Sequence, residues 1–183
     1  MTKGRLEAIV DAVLAIIMTI LVLEIHLPEN NHSVEALIEI SPKFLAYIVS
    51  FVFIAVAWIN HHFIFTKVEK INSATLGFNF FFLFCASLLP ATTAWLGSDM
   101  HATVPAVLYA SNITLFNISV GLVRQNITSL NHFIDPRSKL ELISFIINVI
   151  SLVMTFIWPP AVYVGLLMNL ILWTVVNANM NNK

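Results

Sequence analysis

Six long apolar runs dominate this sequence and constrain its fold more than any other feature. A membrane-spanning helix needs about 20 predominantly apolar residues. Runs of that kind cover residues 6–25, 44–65, 74–96, 102–123, 140–158 and 160–178. Because they are continuous rather than alternating, they favour helices over the strands of a β-barrel. We therefore predict an all-α integral membrane protein, with six transmembrane helices in a single domain over residues 1–183.

The composition excludes most other classes of protein. The chain is 58% apolar and 10% charged, whereas soluble domains average about 45–50% and about 25%. Its one cysteine, Cys85, cannot form a disulfide framework or a cysteine-rich metal site. The net charge of -1 provides no basic surface for nucleic acid. We expect membrane lipid as a partner and no nucleic acid.

Charges near the helix ends predict the orientation. Cytoplasmic loops of membrane proteins are enriched in Lys and Arg. One side of the predicted bundle carries Lys3, Arg5, Lys67, Lys70, Arg124, Arg137, Lys139 and Lys183, and the other carries Lys43 alone. Both termini should therefore be cytoplasmic. The longest connection, residues 24–42, carries several glutamates and lies outside; its residues 34–39 form either a small interfacial helix or a solvated loop.

Four polar side chains fall at a similar depth in the first three spans. Asp11 lies about 9 Å inside the first span, at 1.5 Å per residue. His61, His62 and Asn79 lie at matching positions in the next two spans. Such residues either tie helices together by hydrogen bonds or handle ions and protons, and both interpretations stay open. Adjacent histidines point about 100° apart, which disfavours haem ligation. No nucleophile and base appear together, so we predict no enzyme, no cofactor and no metal site.

The first span also carries an aliphatic stripe. Ile16, Ile20 and Leu23 follow the spacing i, i+4, i+7 and share one helix face. Asp11 lies about 140° away around the helix. The stripe either contacts lipid and other helices, or it forms a hydrophobic constriction of the kind that gates ions by dewetting.

Three segments resemble the lysosomal potassium channel family in its bacterial branch. Arg5 and Asp11 match the family's Arg-x-x-x-Phe-Ser-Asp motif, and the aliphatic run after them ends in Leu-Glu-Ile at residues 23–25. Residues 58–63 resemble the family's second helix, and residues 76–97 resemble its third. The motif's Phe-Ser is replaced here by Ile-Val at residues 9–10, which removes one hydroxyl from the motif.

The resemblance implies a homotetramer around a central pore lined by the first helix. By position, Ile16, Ile20 and Leu23 would form aliphatic rings, and Thr19 would lie beside them. The family's supporting polar network would comprise Arg5, Asp11, His61, His62 and Asn79. Ordinary potassium channels select ions with a Thr-Val-Gly-Tyr-Gly filter, which this sequence lacks. Selectivity for potassium should therefore be modest.

With this resemblance, the prediction is a passive, potassium-permeable cation channel. Ile16 would be the narrowest point, and Glu24 would gather monovalent cations at the outer mouth by electrostatic focusing. The predicted location is a bacterial inner membrane. Two alternatives stay open. One is a proton channel or proton-coupled transporter using Asp11 and His61 or His62. The other is a non-conducting membrane scaffold.

Overall fold

The fold is described by a computed structural model, which covers residues 1–181, with side chains as far as Thr174. Lys183, one of the residues used for the orientation, lies outside this range. All regular secondary structure in the described chain is α-helical. The eight helices are α1 (Lys3–Leu23), α2 (Val34–Glu39), α3 (Ser41–Phe65), α4 (Ser73–Ser87), α5 (Leu89–Ser98), α6 (Thr103–Leu130), α7 (Ser138–Thr155) and α8 (Ala161–Asn181).

Five stretches are long and apolar enough to cross a membrane: α1, α3, α4 with α5, α6 and α7. The described part of α8, Ala161–Thr174, is a shorter apolar helix. The prediction of an all-helical membrane protein is confirmed. The six apolar runs correspond to these six segments, and α2 is an additional short helix in the connection between α1 and α3. Ser33 caps α2 by accepting a hydrogen bond from the backbone N–H of Ala36.

The third predicted span is divided into α4 and α5 at Leu88. Pro90 lies in the first turn of α5 and has no N–H, so the helical hydrogen-bond ladder is interrupted there. At its other end α4 begins at a capping box, in which Asn72 and Thr75 satisfy each other's backbone N–H groups.

α6 continues to Leu130, beyond the end of its apolar run at Val123. The apolar pattern marks the membrane boundary, and the helix extends past it on polar residues. It ends where His132 adopts a positive φ of 54°, a conformation typical of helix C-termini. α7 ends at Thr155, because Pro159 and Pro160 follow closely and cannot continue a helix.

Helix packing separates two parts of the bundle. α1 packs against α3, α4 and α5. α6 packs against α4 and α5 on one side and against α7 and α8 on the other. α7 packs chiefly against α6 and α8, so it lies on the far side of the bundle from α1.

Candidate functional site

α1 has one buried face and a separate exposed aliphatic stripe. The buried face is formed by Leu6, Val10, Leu14, Ile17 and Leu21. The stripe lies about 110° away around the helix at 100° per residue. Its members are Ile16, 56% exposed, Ile20, 37% exposed, and Leu23, 72% exposed. The stripe is therefore not part of the core of the subunit and is free to meet lipid, an ion path or another subunit.

Thr19 and Glu24 lie beside this stripe. The Thr19 hydroxyl donates a hydrogen bond to the Ile16 carbonyl, 2.7 Å away. Its oxygen lone pairs stay available on the exposed side of the helix. Glu24 is the C-cap residue of α1, and its carbonyl oxygen lies 3.1 Å from His26 Nδ1. The residues predicted to line the pore thus share one region of α1, and Glu24 lies at the C-terminal end of this helix.

The predicted polar network is divided into two groups. In the first, Trp58 Nε1 on α3 donates to Asp11 Oδ1 at 2.7 Å. The His62 ring stacks on Trp58, with ring centroids 5.9 Å apart. Asp11 therefore contacts a tryptophan that the depth argument did not identify. The signal was present in the sequence, because Trp58 precedes His62 by one helical turn.

The second group joins α3 to α4. His61 Nε2 lies 2.8 Å from Asn79 Oδ1, and Asn79 Nδ2 donates to the Thr75 carbonyl. Thr75 in turn donates to Asn126 on α6. The predicted meeting of His61 and Asn79 at one depth agrees with this contact. Arg5 is exposed and makes no ion pair or side-chain hydrogen bond among the described residues.

Sequence reasoning missed a buried ionic cluster at the C-terminal end of α6. Arg124 forms an ion pair with Asp135, and its Nε lies 3.0 Å from Glu141 Oε1 on α7. All three residues are at least nine-tenths buried. Arg137 lies over the Phe63 ring at 4.9 Å. Burial lowers the pKa of Arg137, partly offset by the nearby charge of Asp135.

The cluster was missed because Arg124 and Arg137 were interpreted only as markers of orientation. Their acidic partners lie in the connection after α6 and in the first turn of α7. Nothing in the local sequence shows that this connection folds back onto α6. The signal that could have found the cluster was Glu141, an acid inside the fifth apolar run.

Two further polar groups connect the helices. Ser144 on α7 donates to Asn169 on α8 and accepts from Asn117 at 3.1 Å, while Asn169 also donates to Asn148 at 2.8 Å. Asn117 therefore contacts α7 rather than the His61 group. In a second group, the hydroxyls of Ser50, Tyr109 and Thr93 form a buried chain linking α3, α6 and α5. Such interhelical contacts hold transmembrane helices in register.

Within residues whose side chains are described, no group of three His, Cys, Asp or Glu residues could hold a metal ion. What the geometry provides is an exposed aliphatic stripe on α1, with the bond from Trp58 to Asp11 on a different side of the same helix.

Comparisons with known proteins agree on one family. The family model of the endosomal/lysosomal potassium channel TMEM175 matches residues 5–90. A potassium channel of Chryseobacterium is 39% identical over 166 residues, covering 87% of this chain and 85% of that protein. A potassium channel of Streptomyces collinus is 31% identical over 145 residues, covering 74% of this chain and 69% of that protein.

A solved structure and a vertebrate relative extend this comparison. The crystal structure of a lysosomal potassium-selective channel TMEM175 homolog from Chamaesiphon minutus matches with a TM-score of 0.87 at 28% identity, covering 94% of this chain and 96% of that chain. The endosomal/lysosomal proton channel TMEM175 of Danio rerio is 36% identical over 101 residues, which cover 49% of this chain and 19% of that protein.

Proposed function

The chain belongs to the TMEM175 family of endosomal/lysosomal potassium channels, and we propose that it conducts potassium passively along α1. The family consists of ion channels rather than enzymes. The observation that carries the proposal is the exposed stripe of Ile16, Ile20 and Leu23. It lies on the helix within the segment that matches the family, and the protein's own core leaves it uncovered.

A homotetramer follows from the need to enclose a pore. A single subunit offers one exposed face of α1 and cannot surround an ion with it. Identical subunits close a ring most simply by cyclic symmetry, and the family resemblance implies four. Each stripe residue then becomes a ring of four aliphatic side chains. This assembly also accounts for the position of α1 at one side of the bundle, opposite α7.

Two properties of the rings would control conduction: their internal diameter, and whether water fills them. Ile16 would form the narrowest ring, as the family resemblance implies. Aliphatic side chains coordinate no ion, so permeation requires water to occupy the constriction. Beside this ring, the Thr19 hydroxyl oxygen lies on the exposed side of α1, where its lone pairs can coordinate a potassium ion. We propose modest selectivity for potassium over sodium on this basis.

The polar residues behind α1 would support the pore rather than conduct. The bond from Trp58 to Asp11 fixes the side of α1 that lies away from the stripe. The contact of His61 with Asn79 fixes α3 to α4, against which α1 also packs. Arg5 and His62 complete the network proposed from the sequence.

The protein would lie in a bacterial inner membrane with both termini cytoplasmic, as the basic residues predict. Two of its similar proteins are potassium channels of bacteria. Glu24 and the acidic outer connection would then attract cations to the outer mouth. The permeant ion is the only small ligand that this proposal requires.

Proton conduction is a second candidate function, because the relative from Danio rerio is a proton channel by name. Asp11 and His61 are the side chains that would relay protons. Within the described residues they share no hydrogen bond, since Asp11 binds Trp58 and His61 binds Asn79. A continuous relay would need water between the two groups, so the contacts favour the supporting role.

The test is ion flux from liposomes that contain the purified protein. Potassium and sodium gradients are compared for the wild type, Ile16→Asn and Ile150→Asn. Ile150 on α7 is the matched control, because its exposed fraction is 58% against 56% for Ile16. We expect potassium-favoured flux in the wild type and in Ile150→Asn, and a weakened preference in Ile16→Asn. Unchanged selectivity in Ile16→Asn would contradict the proposal, and flux driven only by a pH gradient would favour the proton channel.

A further inference from the structure

Arg5 lies on the same side of α1 as the aliphatic stripe. It precedes Ile16 by eleven positions, which at 100° per residue is three full turns and about 20°. The two side chains therefore leave the helix in nearly the same direction, about 17 Å apart along its axis. Ala12, which lies between them on this side, is also exposed. The exposed face that carries Ile16, Ile20 and Leu23 thus continues to a guanidinium near the N-terminal end of the helix.

The charge of Arg5 has no counter-ion within the described part of the subunit. Arg5 is exposed, and among the residues with described side chains it forms no ion pair and no side-chain hydrogen bond. Asp11, the acid of the family motif, lies about 120° away around the helix and accepts its hydrogen bond from Trp58. The sequence placed Arg5 in the polar network behind the pore, but the described contacts do not join it to that network.

The other charges near this end of α1 point elsewhere. Lys3 and Glu7 each lie two positions from Arg5, so each is about 160° away from it around the helix. Lys3 and Glu7 are four residues apart and share one side of the helix, where their opposite charges compensate each other. The buried Arg124 on α6 is paired with Asp135. Arg5 is therefore the charge that the exposed stripe presents.

We propose that Arg5 forms a ring of positive charge at the inner mouth of the pore, which lowers the entry of potassium from that side. This inference rests on the proposed function, because four copies of α1 must line one pore. If Ile16 faces the axis in each subunit, Arg5 faces it as well. The two ends of the pore then differ in charge, with Arg5 near the cytoplasmic end of α1 and Glu24 at the outer end.

Coulomb's law gives the size of the effect. Four unit charges about 8 Å from the axis, which is one Debye length at physiological ionic strength, lower the local concentration of a monovalent cation about three- to fourfold in water. In about 1 M salt the Debye length is about 3 Å, so the depletion nearly disappears. Potassium current that enters at the Arg5 end should therefore be the smaller one, and the difference should decrease with salt.

The experiment measures rectification of single channels in planar lipid bilayers. Rectification is expressed as the ratio of the larger to the smaller potassium current at equal and opposite voltages, so it does not depend on which way a channel inserts. At physiological ionic strength, Arg5→Gln should lower the wild-type ratio about threefold, because potassium is no longer depleted at the inner mouth. A conducting Arg5→Gln channel with the wild-type ratio would overturn the proposal.

Two control variants separate the ring charge from other effects. Lys3→Gln removes the same charge from the same helix end but on the opposite side, and it should keep the wild-type ratio. Arg5→Lys keeps the charge and should also keep that ratio. A loss of rectification in Lys3→Gln as large as that in Arg5→Gln would overturn the assignment to the pore face.

A third variant tests the ring with Arg5 unchanged. Glu24→Gln removes the acid at the other end of α1, so the rectification that remains would come from Arg5. Its ratio should be about three at physiological ionic strength and close to one in about 1 M potassium chloride. Equal currents in both directions at physiological ionic strength would overturn the proposal. A wild-type protein without potassium current contradicts the proposed function, whereas a conducting wild type whose ratio does not depend on Arg5 contradicts this inference alone.

Discussion

Replacing Arg124 with leucine should strongly destabilise the protein, because two buried acids lose their counter-ion. Asp135 is 6% exposed and Glu141 is 7% exposed, so neither can be solvated well by water. Removing one partner of a buried ion pair costs about 3–5 kcal/mol. Arg137 remains near Asp135, and its own backbone N–H donates to that carboxylate at 3.1 Å. The loss of unfolding free energy in Arg124→Leu should therefore fall within this range rather than exceed it.

Thermal unfolding in detergent measures this effect. For a chain of 150–250 residues, 1 kcal/mol shifts the melting temperature by about 2–4 °C. Arg124→Leu should therefore lower the melting temperature by roughly 6–20 °C. Lys139→Ala is the control, because Lys139 lies nearby at the start of α7 and is exposed. We expect that control to change the melting temperature by less than about 2 °C.

A triple variant distinguishes two causes of the lost stability: the uncompensated charge of the buried acids and the lost packing of the arginine side chain. Arg124→Leu combined with Asp135→Asn and Glu141→Gln removes the arginine and neutralises both acids. The large cost of breaking a buried ion pair comes from the uncompensated charge that remains, and the triple variant leaves none on these three residues. The triple variant should therefore recover more than half of the lost melting temperature. The reasoning is refuted if Arg124→Leu melts like the Lys139→Ala control, or if the triple variant is no more stable than Arg124→Leu alone.

Two other substitutions test the packing of the bundle. Gly165→Ala should lower the free energy of unfolding by about 1–3 kcal/mol, because the added Cβ would lie 2.5 Å from Ser151 Cβ. Gly77→Ala is the control, because nothing lies within 4 Å of a Cβ added there. This control should leave the melting temperature unchanged or raise it. Asn131→Ala should speed tryptic cleavage in the connection between α3 and α4, because the Asn131 amide accepts hydrogen bonds from the backbone at residues 69–70 and donates one back. Cleavage at the wild-type rate would show that this amide does not hold the connection.

The sequence predicted the spans well, because membrane solvation is a strong and local constraint. A segment that crosses lipid must satisfy its backbone internally, as a helix or in a closed barrel, and its lipid-facing side chains must be apolar. Hydropathy alone therefore located the five long apolar stretches and the shorter helix Ala161–Thr174 among the described residues. It located their ends less well. α6 extends to Leu130 because a helix does not have to end where its apolar run ends, and α4 is separated from α5 by Pro90, which the hydropathy pattern does not register.

The sequence predicted a polar contact only where two residues at equal membrane depth lie on neighbouring helices that face each other. His61 and Asn79 meet because neighbouring antiparallel helices bring residues of equal depth together. Asp11 lies at the same depth but binds Trp58, because the rotation of α1 about its axis decides which side of α3 it faces. Rotation is set by the packing of whole helices. The cluster of Arg124 and Asp135 also depends on how the connection after α6 folds, which no local pattern specifies.

The measurement that tests the central claim most directly is cadmium block of flux through a cysteine placed at Ile16. The native Cys85 is buried and is replaced by serine, and Ile16→Cys and Ile150→Cys are compared in that background. Thiolates are strong ligands for soft metal ions, and a ring of cysteines around a pore would bind cadmium in the ion path. We predict that cadmium abolishes potassium flux in Ile16→Cys and leaves Ile150→Cys unaffected. Flux that persists in Ile16→Cys, or equal block of both variants, would contradict a pore lined by α1.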